Sequence, residues 1–489
     1  MEKQGSITVF LALILGLMLS LVCTCLQSVK MAAARTQVLS GVDIGLYSLF
    51  GQYDKTLLRD YDLFAIDGAM GADSLNPGAM YDSFRRYMEP VLRQNSQKLS
   101  LQQGGLTGYR LLTDAQGEIF YQQAVRYMKD TLGSHGAQLL LGKMRERQEK
   151  TQEAQQTGEQ SENRGSMQSY EEEMRTAAQN SEAAREAMEK DEGGVVEVVP
   201  PPQPQTPVEN PIPVIRRIRN MSILDLVVPA DRGVSDGSID RGVLLSGREQ
   251  QQGMQMASGI SPDTSYLSQV LFQQYLMEKL GNYASPSQGP LQYETEYVLC
   301  GKYSDRENLK AVVKRLLLIR EGVNFAGLMA DPVKRAQAEG LSLAIASTFL
   351  VPPAAFVIES ALLLCWSFAE SILDVRELLD GGKVGLMKNA ENWQLSLENL
   401  PHILQGLDTV RKSDASGLSY EDYLQVLLLA QNKQKKLSGA MDMIEKSVQR
   451  KKGKEHFRLD CSVVALEVSV RVRANGRKTL QTVRQYSYG

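Results

Sequence analysis

The hydrophobic pattern opens with an unbroken run: no residue from Ser6 to Leu26 carries a charge. At about 1.5 Å of rise per residue, a helix over this run is about 31 Å long, which matches the hydrocarbon core of a bilayer. Past the run the apolar residues thin to a stripe, Leu39, Val42, Leu46, Leu49 and Tyr53, spaced three and four apart. The spacing predicts one long helix from about Ser6 to Leu58, half in lipid and half packed on a soluble domain. The apolar run exceeds the roughly 7–15 residues of a secretory signal. An uncleaved anchor is therefore preferred, although Ala32-Ala33-Ala34 offers small residues to a signal peptidase. Val22 before Cys23 and Thr24 before Cys25 fit a lipoprotein site poorly. Lys3 on one side balances Lys30 and Arg35 on the other, so positive charge assigns no orientation.

Tyr61 to Asp67 should end the helix and enter a short strand, with Asp60, Asp62 and Asp67 in a solvated turn. A second strand is expected over Leu106–Thr113, closed by the turn Asp114-Ala115-Gln116-Gly117. A helix follows, carrying Ile119, Phe120, Ala124, Tyr127, Met128 and Leu132 on one stripe. From about Arg145 to Lys190 the chain is rich in Gln and Glu and poor in large apolar residues, which suits a solvated helix. Pro200 to Pro207 reads as an extended spacer. The resulting division is an anchor over 1–52, a first portion over 53–144, a linker over 145–212 and a second portion over 213–489.

In the second portion, Thr264–Leu280 is an amphipathic helix. Leu291 to Leu299 alternates apolar with polar residues, the period of a half-buried strand. Ser304 with Glu307 opens a helix bearing Leu309, Val312, Val313, Leu316 and Leu317. Residues 341–369 are strongly apolar but broken at Pro352-Pro353, so neither half reaches the ~20 residues of a span. A buried helical hairpin is favoured over one that dips into a membrane. The helix from about Ala354 should stop at Gly381-Gly382. Ser419 with Asp422 starts another helix, striped by Tyr423, Val426, Leu427, Ala430, Leu437, Met441 and Ile444. Arg450 to Lys454 is a basic loop. Asn475-Gly476 between β-rich runs predicts a C-terminal hairpin, with Leu466, Val468, Val470 and Val472 on one face and a bulge at Val463-Val464. The expected class is α+β and helix-rich, with a long N-terminal transmembrane helix, helical-bundle elements and antiparallel strands.

Composition narrows the function. The net charge is −3, so the basic footprint of a nucleic-acid binder is missing. Three histidines (His135, His402, His456) are scattered, and five cysteines (Cys23, Cys25, Cys300, Cys365, Cys461) lack metal or redox spacing. The cysteines read as small buried hydrophobes. Gly104-Gly105 and Gly381-Gly382 read as turn or cap glycines, and Trp366 and Trp393 as core anchors. The phosphate-loop, HExxH and GxSxG patterns are all missing, so no catalytic, cofactor-binding or metal residue is assigned, no cofactor is implied and no small-molecule substrate is identified.

The opening Gly5-Ser6-Ile7-Thr8-Val9-Phe10-Leu11, the segment Tyr53-Asp54…Tyr61-Asp62-Leu63-Phe64, the stretch Tyr293-Glu294-Thr295-Glu296-Tyr297 with Gly301-Lys302, and Asp374-Val375-Arg376…Gly381-Gly382-Lys383-Val384 carry a resemblance. Together they resemble uncharacterised membrane-anchored proteins of Gram-positive anaerobes associated with tight-adherence (Tad, Flp-type) pilus and secretion systems, with a pseudopilin-like N-terminus. The resemblance implies a single-pass anchor with the bulk outside the cell membrane, and a minor pilin-like or assembly role. Phe10 stands where a prepilin carries its glutamate, so the likeness departs from true prepilins there. Expected partners are the lipid bilayer, through the N-terminal helix, and other membrane or pilus-assembly proteins. Gly16 and Ser20 form a small-xxx-small pair for helix contact. A non-enzymatic structural or assembly component is the leading reading, an extracytoplasmic binding or sensor module the second, and hydrolysis of a wall polymer the third.

Overall fold

The computed structural model describes residues 2–94, 98–162, 209–254, 256, 259–348, 355–388, 392–407, 413–474 and 478–488. The Pro200–Pro207 spacer, the Gln/Glu-rich segment beyond Glu162, Pro352-Pro353 and the Asn475-Gly476 turn lie outside them. The fold is helix-rich α+β with antiparallel strands. Two compact units divide it, each drawn from separated stretches. The first comprises 1–130, 242–264 and 444–489; the second comprises 131–241 and 265–443.

The first unit is built around α1 (Glu2–Phe50), followed by α2 (Lys55–Tyr61), β1 (Ile66–Asp67), α3 (Pro77–Arg93), β2 (Ser100–Leu111) and the start of α4 (Asp114–Glu162). The central strand of its sheet is the late segment Ser462–Ala474. It pairs antiparallel with β2 along one side, and with β1 and the final strand Lys478–Ser487 along the other. Leu466, Val468, Val470 and Val472 share one face of this strand and meet Val42, Leu46, Phe84 and Met88 in one core. Arg110 pairs with Ala465 while Leu111 pairs with Val463, so Val464 is the extra residue of a bulge, as the phase change in the sequence predicts. Arg248 donates to both oxygens of the buried Glu445, each at 2.7 Å, and to Asp460 at 3.0 Å, which fastens the 242–264 segment to the foot of the central strand.

Three expectations for this unit need correction. The long helix stops at Phe50 rather than Leu58. Asp54 starts a new helix there, because its carboxylate accepts the amides of Thr56 (2.8 Å) and Leu57 (3.1 Å). Gly104-Gly105 lies inside β2, not at a turn: a side chain at Gly104 would collide with the Tyr81 hydroxyl. The turn at Asp114–Gly117, left-handed at Ala115, Gln116 and Gly117, leads into a helix as expected, but the strand before it spans Ser100–Leu111 rather than Leu106–Thr113.

The second unit packs the helices Asp305–Ala330 and Ala355–Leu379 against each other, with Pro332–Thr348 on the latter. Every residue from Ala361 to Leu379 is buried, as expected of the second arm of a buried hairpin, whereas Leu343 on the first arm and Phe356 at the start of the second are exposed. Ser304 caps the first of these helices, accepting the Glu307 amide at 3.3 Å, and Gly381, at φ +96°, follows the end of the last. A full capping box at Ser419 and Asp422 opens Tyr420–Ala430.

Two further expectations are corrected here. The alternating stretch 291–299 is not a strand, because Glu294–Cys300 is a helix with residues 294 to 299 buried on every side. Its glutamates point inward: Glu294 accepts the Gly281 amide at 3.0 Å, and Glu296 accepts the Tyr283 amide at 2.8 Å. The helix begun at Ser419 ends at Ala430, which is exposed, and a new helix runs from Lys433 to Gln449. Of the cysteines only Cys365 and Cys461 are buried; Cys300 is partly so, and Cys23 and Cys25 lie bare on α1.

Candidate functional site

The length of α1 has two environments. From Ile7 to Val29 its large apolar side chains are exposed, with Leu15 and Leu17 among the barest. This stretch has a mean hydropathy of 2.7 over its most apolar window and is long and apolar enough to cross a membrane, a candidate span compatible with anchoring. From Ala34 onwards the same helix is core: Ala34, Val38, Val42, Leu46, Leu49 and Phe50 are buried. The switch follows composition, since Lys30, Arg35 and Gln37 interrupt the apolar surface and leave a one-sided stripe. Gln37 donates to the Val91 carbonyl at 3.1 Å and so satisfies a C-terminal carbonyl of α3. Gly16, half of the small-xxx-small pair, has no atom within 4 Å of where a Cβ would stand. Close helix packing within the first unit occurs at Gly41 and Gly45, where added Cβ atoms would lie 3.2 Å from Leu92 and 2.8 Å from Phe84.

Cavities open on the first unit, two of them lined by described residues of separate stretches. The larger, of about 510 Å³, surrounds Asp114 and the 250–260 segment. Asp114 accepts the amides of Leu111 (2.7 Å) and Gly253 (2.9 Å), and burial raises its carboxyl above the usual range. Both carboxylate oxygens are thereby engaged in holding the loop.

The smaller cavity, of about 340 Å³, is walled by aromatic rings from three distant stretches: Phe64 after α2, Tyr127 on α4, and Tyr486 and Tyr488 at the end of the last strand. Asp62, Arg126 and Asp130 also line it. Phe64 is 40% exposed, yet its backbone is fixed. The Gln123 amide accepts its N–H at 2.9 Å and donates to its carbonyl at 3.0 Å. The Phe64 and Tyr488 rings stand 5.4 Å apart at 31°, Tyr486 and Tyr488 6.3 Å apart at 84°, and Tyr53 supports Phe64 edge-on at 5.9 Å. The Tyr488 hydroxyl donates to the Phe50 carbonyl, and its amide donates to the Val464 carbonyl at 3.1 Å. No sequence signal marks this cavity, because its walls lie more than four hundred residues apart along the chain, from Leu58 to Tyr488.

The second unit carries a buried polar network. Arg320 donates to Asp374 and Asn324, and also to Tyr423 at 3.1 Å. Lys388 pairs with Asp374 at 2.5 Å and with Glu370. Burial pushes the Asp374 carboxyl up, but Arg320 and Lys388 outweigh it and hold the group below the usual range. Burial wins at Glu370, which is raised. Two cations face two anions, each hydrogen-bonded, so this network organises helices rather than offering a free acid or base. Trp366 is buried beside it and donates to the Leu395 carbonyl at 2.8 Å, as does the half-buried Trp393.

Among the described residues no three His, Cys, Asp or Glu side chains stand close enough to hold a metal ion. A family model described as a family of unknown function (DUF5702) matches residues 202–474. No curated protein matches the chain. No solved structure matches it either.

Proposed function

The chain belongs to this family of unknown function, DUF5702, and we propose that it serves as a membrane-anchored, non-enzymatic structural or assembly component at the cell envelope, of a Tad-type pilus or secretion system. The observation that carries this reading is the double use of α1, bare and apolar to Val29 and core from Ala34. Such a helix holds its domain at a fixed distance from a bilayer and leaves an apolar surface for neighbouring spans. The pilus assignment rests on the resemblance of the N-terminal and central motifs, and the bulk of the chain is placed outside the cytoplasm on the same ground. Native membranes carrying the tagged chain provide the test. The chain should resist alkaline extraction and co-purify with pilus or secretion components. Release into the soluble fraction would overturn the anchor, and consistent absence of such partners would overturn the assembly role. The second reading, an extracytoplasmic binding or sensor module, draws its support from the aromatic cavity of the first unit.

A further inference from the structure

The aromatic cavity has a composition that selects among ligands. Four rings line it, and those of Phe64 and Tyr486 are inclined to the Tyr488 ring by 31° and 84° rather than laid out as one flat platform. Gln123 spends both ends of its amide on Phe64, and the Tyr488 hydroxyl is bonded to Phe50, so these two groups hold the walls of the cavity. The formal charge of the wall is negative, since Asp62 and Asp130 face one guanidinium, Arg126. Inclined ring faces combined with net negative charge attract a large, weakly hydrated cation, whose charge meets the negative faces of the rings.

We propose that this cavity binds an organic quaternary ammonium group, held by the faces of Phe64, Tyr127, Tyr486 and Tyr488 and by the carboxylates of Asp62 and Asp130. The rings need little rearrangement to do so, because backbone and hydroxyl bonds already fix Phe64 and Tyr488, and such preorganisation lowers the entropic cost of binding. The site is independent of the pilus assignment. Free solutes and phosphocholine headgroups carry the same chemistry. Phe50 lies 21 residues beyond Val29, about 31 Å along α1, which places the cavity far from the bilayer that holds the helix and favours a free solute.

The test uses the full chain in maltoside micelles, titrated by calorimetry with choline and with its uncharged isostere, in which carbon replaces the ammonium nitrogen. Choline should bind, and the isostere should bind at least about tenfold more weakly, the factor that a cation–π contribution supplies. Phe64→Leu, which keeps apolar bulk and removes a ring, should weaken choline binding by about tenfold. Asp130→Asn, on an exposed residue, should weaken it severalfold with unchanged thermal unfolding, so the test survives if the Phe64 variant misfolds. Capture of phosphatidylcholine vesicles in a second arm would assign the headgroup as source; choline binding without capture would assign a free solute. Equal affinity for choline and the isostere, or no choline binding, would overturn the proposal.

Discussion

Glu296 is buried, with one carboxylate oxygen accepting from the Tyr420 hydroxyl at 2.6 Å and from the Tyr283 amide, and the other without a protein partner. Burial pushes its carboxyl up to about 7, from an ordinary value of 4.5. Folding therefore takes up a proton. The resulting stabilisation is fully present below pH about 4.5, shrinks as pH rises, and is gone above about 7, with a ceiling of about 3 kcal/mol. Denaturant midpoints should fall between about pH 5 and pH 8, and Glu296→Gln, which retains an oxygen for both donors, should flatten that fall. A slope unchanged in the variant would assign the pH dependence to other groups. At Asp374 the expectation runs the other way. Asp374→Ala leaves two buried cations, Arg320 and Lys388, facing the single anion Glu370 and should cost about 3–5 kcal/mol at neutral pH, read from the same midpoints.

Elements are set by how closely they approach. Gly41 and Gly45, four apart on α1, let the Phe84 and Leu92 side chains of α3 lie against the helix backbone. Gly45→Leu must displace Phe84 and Met88, and overpacking of this kind costs about 1–3 kcal/mol. Pairing it with Phe84→Ala should recover part of the loss, which thermal unfolding of the two variants would measure. Simple additivity of the two effects would argue against direct contact.

The same scale shows what the chain discloses about itself. The caps at Ser304 and Ser419, the stop at Gly381 and the bulge at Val464 are legible because each depends on neighbours within a few residues. The alternation at 291–299 misleads because Glu294 and Glu296 are buried against backbone amides, so polar does not mean outward there. Gly104 reads as a turn until Tyr81, far off in sequence, is seen to occupy the space beside it. The aromatic cavity is illegible for the same reason: Phe64, Tyr127 and Tyr488 meet only once the sheet has formed.

For the whole chain α1 makes a sharp demand. Residues 7–30 are all exposed, so after deletion of residues 1–30 the remainder should be soluble and keep its unfolding transition. Deleting residues 1–50 also removes Val38, Val42, Leu46, Leu49 and Phe50 from the core. At about 1.5–3 kcal/mol each, their loss consumes the typical stability of about 5–15 kcal/mol, and the first unit should not fold. Circular dichroism and size-exclusion profiles of the two truncations would separate these outcomes; a folded first unit after the longer deletion would refute the account.

Because α1 is one uninterrupted helix from Glu2 to Phe50, a bilayer around its apolar end would share a single stiff rod with the sheet. In that setting a pull applied to the first unit would meet no slack: it would reach the lipid through helical hydrogen bonds in series, and the buried side chains between Ala34 and Phe50 would resist it in shear along the sheet. Tension strong enough to strip the rod from the sheet would also unfold the unit, so extraction from the membrane and mechanical unfolding are competing ways to fail under the same load.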